Sequence, residues 1–193
     1  MNKLLIVVDM QNDFLFDALA NQEASAIVPA LRDKIKKYKD EGYTIVFTRV
    51  FTRDVHEKNY LHTEEGKNLP IEHCIRNTKG YEIIDYLKEF IDNNVKVFDK
   101  DTFGSKRLFK WLEICDINFT EIELVGVCTD ICVISNAIIA KIVRPNAHIV
   151  VDASCCAGVT PESHDNAINA MKSLHIEIRN EGKEIWRNLY NNL

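Results

Sequence analysis

The sequence is short of glycine, proline and long apolar runs, and each shortage excludes a class of protein. The 193 residues include only seven Gly and four Pro, without any Gly/Ser-rich, Gln-rich or repeated tract, which excludes a linker, a fibre and a solenoid. The longest aliphatic run near the start, residues 4–8, has five residues, whereas a secretory signal or a membrane span needs more. We therefore expect a soluble, cytoplasmic protein.

Blocks of positive charge and glycine-rich phosphate loops are also missing. The formal net charge is −5 and Lys and Arg form no blocks, so we expect no binding to nucleic acid or to membranes. Glycine signals such as Phe103-Gly104-Ser105 match neither GxGxxG nor a P-loop, and no nucleotide cofactor is expected. What remains is one domain over residues 1–193, in which 46% hydrophobic residues can form a sizeable core.

The chain contains six cysteines, an even number that could form a disulfide framework. Nothing indicates secretion, however, and a domain of this size does not need disulfides for stability. We therefore expect free and mostly buried thiols, one of which is reactive. The six are Cys74, Cys115, Cys128, Cys132, Cys155 and Cys156.

Strand-like and helix-like segments alternate along the chain, which predicts a parallel sheet covered on both faces. The fold class is therefore α/β, a three-layer Rossmann-like fold with a six-stranded parallel sheet and helices on both faces. Strands are expected at 3–9, 43–50, 95–99, 121–127, 148–153 and 174–179. Helices are expected at 26–41, 81–93, 105–115, 130–143, from Thr160 onward and at 182–190.

Reactive side chains follow several predicted strands at their carboxyl ends, where open parallel sheets bind ligands. Asp9 follows the first strand, Lys100 the third, Cys132 the fourth and Asp152 the fifth. A thiol in the first turn of a helix lies near backbone N–H groups that favour a thiolate and can hold an oxyanion. We interpret Asp9, Lys100 and Cys132 as an acid–base, cation and nucleophile triad, although each alone could be a loop, surface or core residue.

The polar stretch at about 51–80 is long for a loop in a compact domain, and loops of that length are uncommon unless they are functional. It holds imidazole and carboxylate side chains, which suit zinc, iron or manganese. We predict a metal-binding insertion here, with a solvated polar loop as the alternative. The candidate ligands are Asp54, His56, His62, Glu65 and His73.

The chain resembles the isochorismatase-like cysteine hydrolases and, among them, the nicotinamidases. The resemblance covers nearly the whole chain: DMQNDF follows the first strand, TRDVH the second, KDTFGS the third and GVCTDICV the fourth, and VDASCCAGVTPESH extends beyond the fifth. It implies that Asp9 is the proton-transfer carboxylate, Lys100 the orienting cation and Cys132 the nucleophile. Because true isochorismatases lack this cysteine, its presence points to cleavage of a C–N bond.

The resemblance also implies which groups surround the substrate. It places a cis peptide at Val127–Cys128, so that the N–H groups of Cys128 and Cys132 face the substrate oxygen. It makes Phe14 an aromatic side chain of the pocket.

The resemblance to nicotinamidases further implies a divalent metal. Asp54, His56 and His73 match the order of the family's ligands, and either Glu65 or His62 stands where the remaining ligand is found. In the family, the metal binds the pyridine nitrogen of the substrate and so positions it.

We therefore expect a nicotinamidase-like amidohydrolase that converts nicotinamide to nicotinate and ammonia through a cysteine thioester. One alternative is a metal-free cysteine hydrolase of another small amide, ureide or carbamoyl compound. The other is a non-catalytic binding module that kept the fold. The expected partners are a small-molecule amide substrate and further copies of the chain in a homo-oligomer.

Overall fold

A parallel sheet of six strands lies at the centre of the structure, a computed structural model that describes residues 2–54 and 60–190. The strands are β1 (Asn2–Val8), β2 (Thr44–Val50), β3 (Lys96–Lys100), β4 (Phe119–Val127), β5 (His148–Ala157) and β6 (Glu177–Arg179). Their order across the sheet is β3-β2-β1-β4-β5-β6, and all neighbours are parallel. The order reverses between β1 and β4, which is where such sheets bind ligands.

Helices cover both faces of the sheet, which confirms the predicted fold class. The helices are α1 (Asn12–Leu15), α2 (Gln22–Ala26), α3 (Val28–Asp40), α4 (Glu64–Asn68), α5 (Asp85–Lys88), α6 (Lys106–Ile114), α7 (Ile134–Val143) and α8 (Pro161–Ser173). Helix α3 packs on one face, whereas α6, α7 and α8 pack on the other. Within the described residues, no helix has both the length and the apolar character to cross a bilayer.

The first strand shows why a continuous apolar run forms the centre of this sheet. Leu4, Ile6 and Val8 project into the core under α6, α7 and α8, whereas Leu5 and Val7 project into the core under α3. All five side chains are fully buried. Because both faces of a parallel sheet are covered, the side chains that project from an inner strand to either face are apolar.

The helix predicted at 81–93 is reduced to the four residues of α5. The backbone before α5 is held by the segment that follows β1. The Ile84 N–H donates to the Met10 carbonyl at 3.0 Å, and the Tyr81 carbonyl accepts from the side chain of Gln11 at 2.9 Å. These tertiary hydrogen bonds keep the first part of the segment non-helical.

The fifth strand is longer than predicted, which corrects the position of Asp152. Strand β5 continues to Ala157 because Gly126 of β4 pairs with Cys156 beyond an irregularity in the ladder. Asp152 therefore lies inside the strand and not beyond its carboxyl end. Its carboxylate forms an ion pair with Lys34 of α3 at 2.5 Å, so Asp152 joins a helix to the sheet.

Helix α8 begins where the sequence predicts. Thr160 is the N-cap, and its side chain accepts from the Ser163 N–H at 3.1 Å, while the Ser163 hydroxyl accepts from the Thr160 N–H at 3.0 Å. Pro161 occupies the first helical turn, where its missing N–H costs no intrahelical hydrogen bond.

The cysteines form no disulfide. All six are free thiols, and four of them are buried. This confirms the expectation that the even number of cysteines is not a framework.

Candidate active site

Asp9 directly follows the carboxyl end of β1. Its backbone adopts a left-handed conformation with φ of 50°, which a non-glycine residue adopts at some energetic cost and which is frequent at functional sites. Thr48 of β2 holds it in place: the Asp9 N–H donates to the Thr48 carbonyl at 3.2 Å, and the Thr48 hydroxyl donates to Asp9 Oδ1 at 2.7 Å. The Asp9 side chain is fully buried.

A glycine allows β4 to approach this end of β1. Gly126 has φ of 114°, and a Cβ atom there would lie 2.2 Å from the Val8 carbonyl oxygen. No other residue type fits that close approach without moving the backbone. The glycine thus brings the segment after β4 next to Asp9.

Lys100, the last residue of β3, reaches across β2 to join Asp9 and Cys132. Its Nζ lies 2.7 Å from Asp9 Oδ2 and 3.3 Å from Cys132 Sγ, and it donates to the Thr102 carbonyl at 3.2 Å. Only 3% of Lys100 is exposed. The three predicted residues therefore form one buried constellation.

The sequence predicts that Cys132 lies in the first turn of an α-helix, and this prediction is wrong. It lies in a π-helical turn, Thr129–Val133, that precedes α7. The carbonyl of Cys128 accepts from the N–H of Ile131 at 3.1 Å and from that of Val133 at 3.0 Å. The Val127–Cys128 peptide is cis, as the family resemblance implies. π-Turns of this kind occur frequently at functional sites.

The electrostatics of the site keep the thiol protonated at rest. Burial and the negative charge of Asp9 raise the pKa of Cys132 well above its ordinary value of 9.0, and the Lys100 charge only partly opposes them. Burial lowers the pKa of Lys100, but the negative charge of Asp9 and the hydrogen bonds to Asp9 and Cys132 outweigh it and raise that pKa. A reaction at Sγ therefore needs a base, and Asp9 stands at the site as a buried carboxylate.

Sequence reasoning missed a second buried polar residue, Asn136 of α7. Its Nδ2 donates to the Cys132 carbonyl at 2.8 Å and to the Phe103 carbonyl at 3.2 Å, and its Oδ1 accepts from the Ser105 N–H at 2.9 Å. Asn136 thus joins the turn that carries Cys132 to the segment after Lys100. Its position four residues after Cys132, on the buried side of an apolar helix, was the available signal.

His164 of α8 was also missed as part of the surroundings of this turn. The buried ring lies 2.8 Å from the Thr129 hydroxyl through Nδ1 and 3.3 Å from Glu184 Oε1 through Nε2. It packs edge-on against Trp186, with ring centroids 5.1 Å apart. Buried hydrogen bonds from Thr129 to His164 and from His164 to Glu184 therefore connect the π-turn to α8 and to the segment after β6. No local sequence pattern indicated them.

Two predicted residues, His73 and Phe14, contact each other. Their ring centroids lie 5.8 Å apart, and Tyr60 packs on His73 at 5.7 Å. His73 Nδ1 lies 2.7 Å from the Ile71 carbonyl, and burial lowers the pKa of the ring. A neutral imidazole that donates from Nδ1 presents the lone pair of Nε2, the form in which histidine binds a metal.

The other predicted metal ligands do not gather around His73 in the described part of the chain. Asp54 is half exposed and pairs with Arg76 Nε at 3.4 Å, and His62 and Glu65 are exposed. His56 lies outside the described residues. Within 2–54 and 60–190, no three His, Cys, Asp or Glu side chains are arranged to hold a metal ion. The described donors alone therefore form no metal centre.

Comparison with known proteins places the chain in a family that agrees with its fold and its site. A family model described as the isochorismatase domain matches residues 3–180. The chain belongs to the isochorismatase family. It is 28% identical over 221 residues to the nicotinamidase of Schizosaccharomyces pombe, which covers 96% of each chain. It is also 25% identical over 182 residues to a probable inactive nicotinamidase of Arabidopsis thaliana, with 91% of each chain covered.

A solved structure shows the same architecture in this family. The pyrazinamidase of Pyrococcus horikoshii in complex with zinc superposes with a TM-score of 0.75 and 27% identity, over 92% of this chain and 98% of that one. Family membership and the nicotinamidase relatives indicate a hydrolase that acts on carbon–nitrogen bonds other than peptide bonds.

Proposed function

We propose that this isochorismatase-family amidohydrolase converts nicotinamide to nicotinate and ammonia. The observation that carries the proposal is the buried constellation in which Lys100 Nζ lies 2.7 Å from Asp9 Oδ2 and 3.3 Å from Cys132 Sγ. A thiol, a carboxylate and a cation at these distances are the parts that nucleophilic amide cleavage requires. The similarity to a nicotinamidase and to a pyrazinamidase supports an aromatic amide as the substrate.

The first half of the reaction forms a thioester. Because the thiol is protonated at rest, Asp9 accepts the Sγ proton as Sγ attacks the amide carbonyl. The charge of Lys100 stabilises sulfur as it becomes anionic, and the N–H groups of Cys128 and Cys132 hold the oxyanion. The C–N bond then breaks, and Asp9 returns the proton to the leaving nitrogen, which departs as ammonia.

The second half releases the acid and restores the site. Asp9 now takes a proton from a water molecule, which attacks the thioester carbonyl. The C–S bond breaks, Asp9 returns the proton to Sγ, and the product leaves as the acid, which ionises in solution. One water is consumed for each amide, and Asp9 serves alternately as base and acid.

A divalent metal, zinc, iron or manganese, belongs to the same proposal. Asp54, His56 and His73, with either Glu65 or His62, would bind it, and it would hold the ring nitrogen of the substrate. The neutral ring of His73, in contact with Phe14, supports this assignment, and the Pyrococcus horikoshii pyrazinamidase is described in complex with zinc. Asp54 would exchange its ion pair with Arg76 for the metal.

An ammonia-release assay tests the proposed function. We expect the purified protein to deamidate nicotinamide, and we expect Cys132→Ala to lower kcat by at least about 10⁴-fold, as loss of a catalytic nucleophile does. The matched control is Cys115→Ala, which removes a half-buried thiol that contacts Arg144 and the Leu112 carbonyl and should retain activity. A fully active Cys132→Ala variant would show that Cys132 is not the nucleophile.

The same assay separates the alternatives. Turnover of a ureide or a carbamoyl compound, with no turnover of nicotinamide, would indicate a hydrolase of another small amide. A protein that releases ammonia from none of these amides would be a binding module. The metal content of the protein, measured by mass spectrometry for the wild type and for His73→Ala, tests the ligands independently of activity: we expect the variant to lose the metal.

A further inference from the structure

A polar cleft of about 650 Å³ opens beside the edge of the sheet, and arginines line it. It is separate from the Cys132 site. Asp99, which lines the cleft, precedes Lys100 on β3, and successive side chains of a strand project to opposite faces. The cleft also includes Arg49 of β2, Arg76 and Arg107. Neither the family resemblance nor the proposed amidase reaction uses these residues.

Aromatic rings hold two of the guanidinium groups in place. Arg49 stacks on the ring of Tyr81, with its Cζ 4.0 Å from the centroid, and Arg76 stacks on Phe51 at 3.8 Å. Their side chains are 27% and 29% exposed. A stacked, partly buried guanidinium loses little further entropy when it binds an anion, so the two groups are preorganised.

The carboxylates of the cleft are already occupied. Asp99 accepts from Arg49 Nε at 2.8 Å and from the Tyr81 hydroxyl at 2.7 Å. Burial alone would raise the pKa of Asp99, but the hydrogen bonds from Arg49 and Tyr81 lower it, so this carboxylate is ionised. Glu82 is paired with Lys88 at 2.7 Å. Little acceptor capacity therefore remains for the other two arginines.

Arg76 and Arg107 have donors to spare. Arg76 Nε lies 3.4 Å from Asp54 Oδ1 and Nη2 lies 3.9 Å from Asp99 Oδ2, but the buried Nε makes no hydrogen bond within the described part of the chain. Arg107 is exposed and forms no ion pair with any residue of 2–54 or 60–190. A buried donor that makes no hydrogen bond costs free energy, which an acceptor at hydrogen-bond distance would recover.

We propose that this cleft binds a small multivalent oxyanion through Arg49, Arg76 and Arg107. Phosphate-bearing molecules and dicarboxylates share this chemistry, because a guanidinium group binds either with two parallel hydrogen bonds. A cleft with excess arginine is notable in a chain whose net charge is −5, since the overall charge repels anions and only local donors can bind them.

Isothermal titration at low ionic strength tests the proposal, with inorganic pyrophosphate in one arm and malonate in the other. We expect saturable binding to the wild type, about tenfold weaker binding to Arg107→Ala, since one charged hydrogen-bonding partner is lost, and unchanged binding to Lys110→Ala. Lys110 is the matched control because it is an exposed cation on the same helix, α6. The arm that binds more tightly identifies the class of anion.

Two outcomes would overturn the proposal. In the first, the wild type binds neither anion. In the second, Arg107→Ala and Lys110→Ala bind the anion with the same affinity, which would show that the anions respond to surface charge alone. Because Arg107 and Lys110 are exposed, neither substitution should prevent folding. The assay does not depend on amide hydrolysis, so its failure would leave the proposed function intact.

Discussion

At the scale of single residues, the site is a balance of two buried charges and one neutral thiol. Asp9 and Lys100 neutralise each other at 2.7 Å, and the Thr48 hydroxyl satisfies the second oxygen of Asp9. An isolated charge in such a place would be costly, whereas a paired and hydrogen-bonded one is tolerated. The pair therefore keeps a carboxylate ready next to a sulfur that is not yet ionised.

The protonated state of Cys132 can be measured directly. Because burial and the charge of Asp9 raise the pKa of its thiol well above 9.0, we expect no thiolate of Cys132 to form below that pH. The measurement is the thiolate absorbance at about 240 nm, taken as the difference between the wild type and Cys132→Ser over a pH titration. A titration step near neutral pH in this difference would mean that the site depresses the pKa.

At the scale of elements, the active site depends on how one turn is joined to its neighbours. The π-turn Thr129–Val133 is contacted from α8 by His164 through the Thr129 hydroxyl. From α7, Asn136 ties it to the segment that follows β3. The position of Cys132 Sγ relative to Lys100 therefore depends on polar side chains of α7 and α8 as well as on the strands.

Removal of the Asn136 side chain should loosen this connection. In Asn136→Ala, the carbonyls of Cys132 and Phe103 lose their donor, so we expect unfolding to become easier by about 2–4 kcal/mol, the cost of leaving buried groups unpaired. We also expect kcat to fall more than KM changes, since Sγ moves relative to Lys100. Urea unfolding and steady-state kinetics measure the two effects.

The control for this experiment lies on the same helix. Ser135→Ala removes one hydrogen bond, from the Ser135 hydroxyl to the Ile131 carbonyl at 2.6 Å, and leaves the link to Phe103 intact. Equal losses of kcat in the two variants would contradict a positioning role for Asn136.

At the scale of the whole molecule, ion pairs between the layers and between the strands accompany the apolar core. Lys34 of α3 contacts Glu123 of β4 at 2.6 Å and Asp152 of β5 at 2.5 Å, so it fastens the helix to two strands. Glu121 of β4 pairs with Lys3 of β1 at 3.0 Å and with Arg179 of β6 at 2.8 Å. These pairs link strands that are not all neighbours in the sheet.

The Glu121 cluster makes stability depend on pH. Hydrogen bonds from Arg179 and Lys3, opposed by burial, lower the pKa of Glu121 from 4.5 to about 2. A group with a depressed pKa in the folded state stabilises fully above its unfolded pKa, and that stabilisation is lost as the pH falls. We therefore expect the free energy of unfolding to decrease as the pH falls from about 4.5 to about 2.

Urea midpoints as a function of pH test this, with Glu121→Gln as the comparison. The variant should be less stable at neutral pH, because it lacks the two ion pairs, but it should lose less of its remaining stability in acid. The same acid slope in both proteins would show that other carboxyl groups cause the acid sensitivity.

The sequence by itself determined the layers and the members of the triad. A continuous apolar run rich in β-branched residues, such as residues 4–8, predicts a strand covered on both faces. The polar residues that end such runs meet at one edge because the sheet is parallel. Asp9, Lys100 and Cys132 could be found in this way since each is adjacent to its strand or to the turn that follows. Local pattern and global position coincide for these residues.

Only the tertiary structure decided the state of the site and its supports. That Lys100 crosses β2 to reach Asp9, and that the thiol stays protonated, depend on burial by distant segments, which outweighs the helix-end effect that the sequence suggests. The place of Asn136 and the ion pair of Asp54 with Arg76 likewise join residues far apart along the chain. Pattern along a sequence reports nearest neighbours, whereas burial and charge depend on what the fold brings from elsewhere.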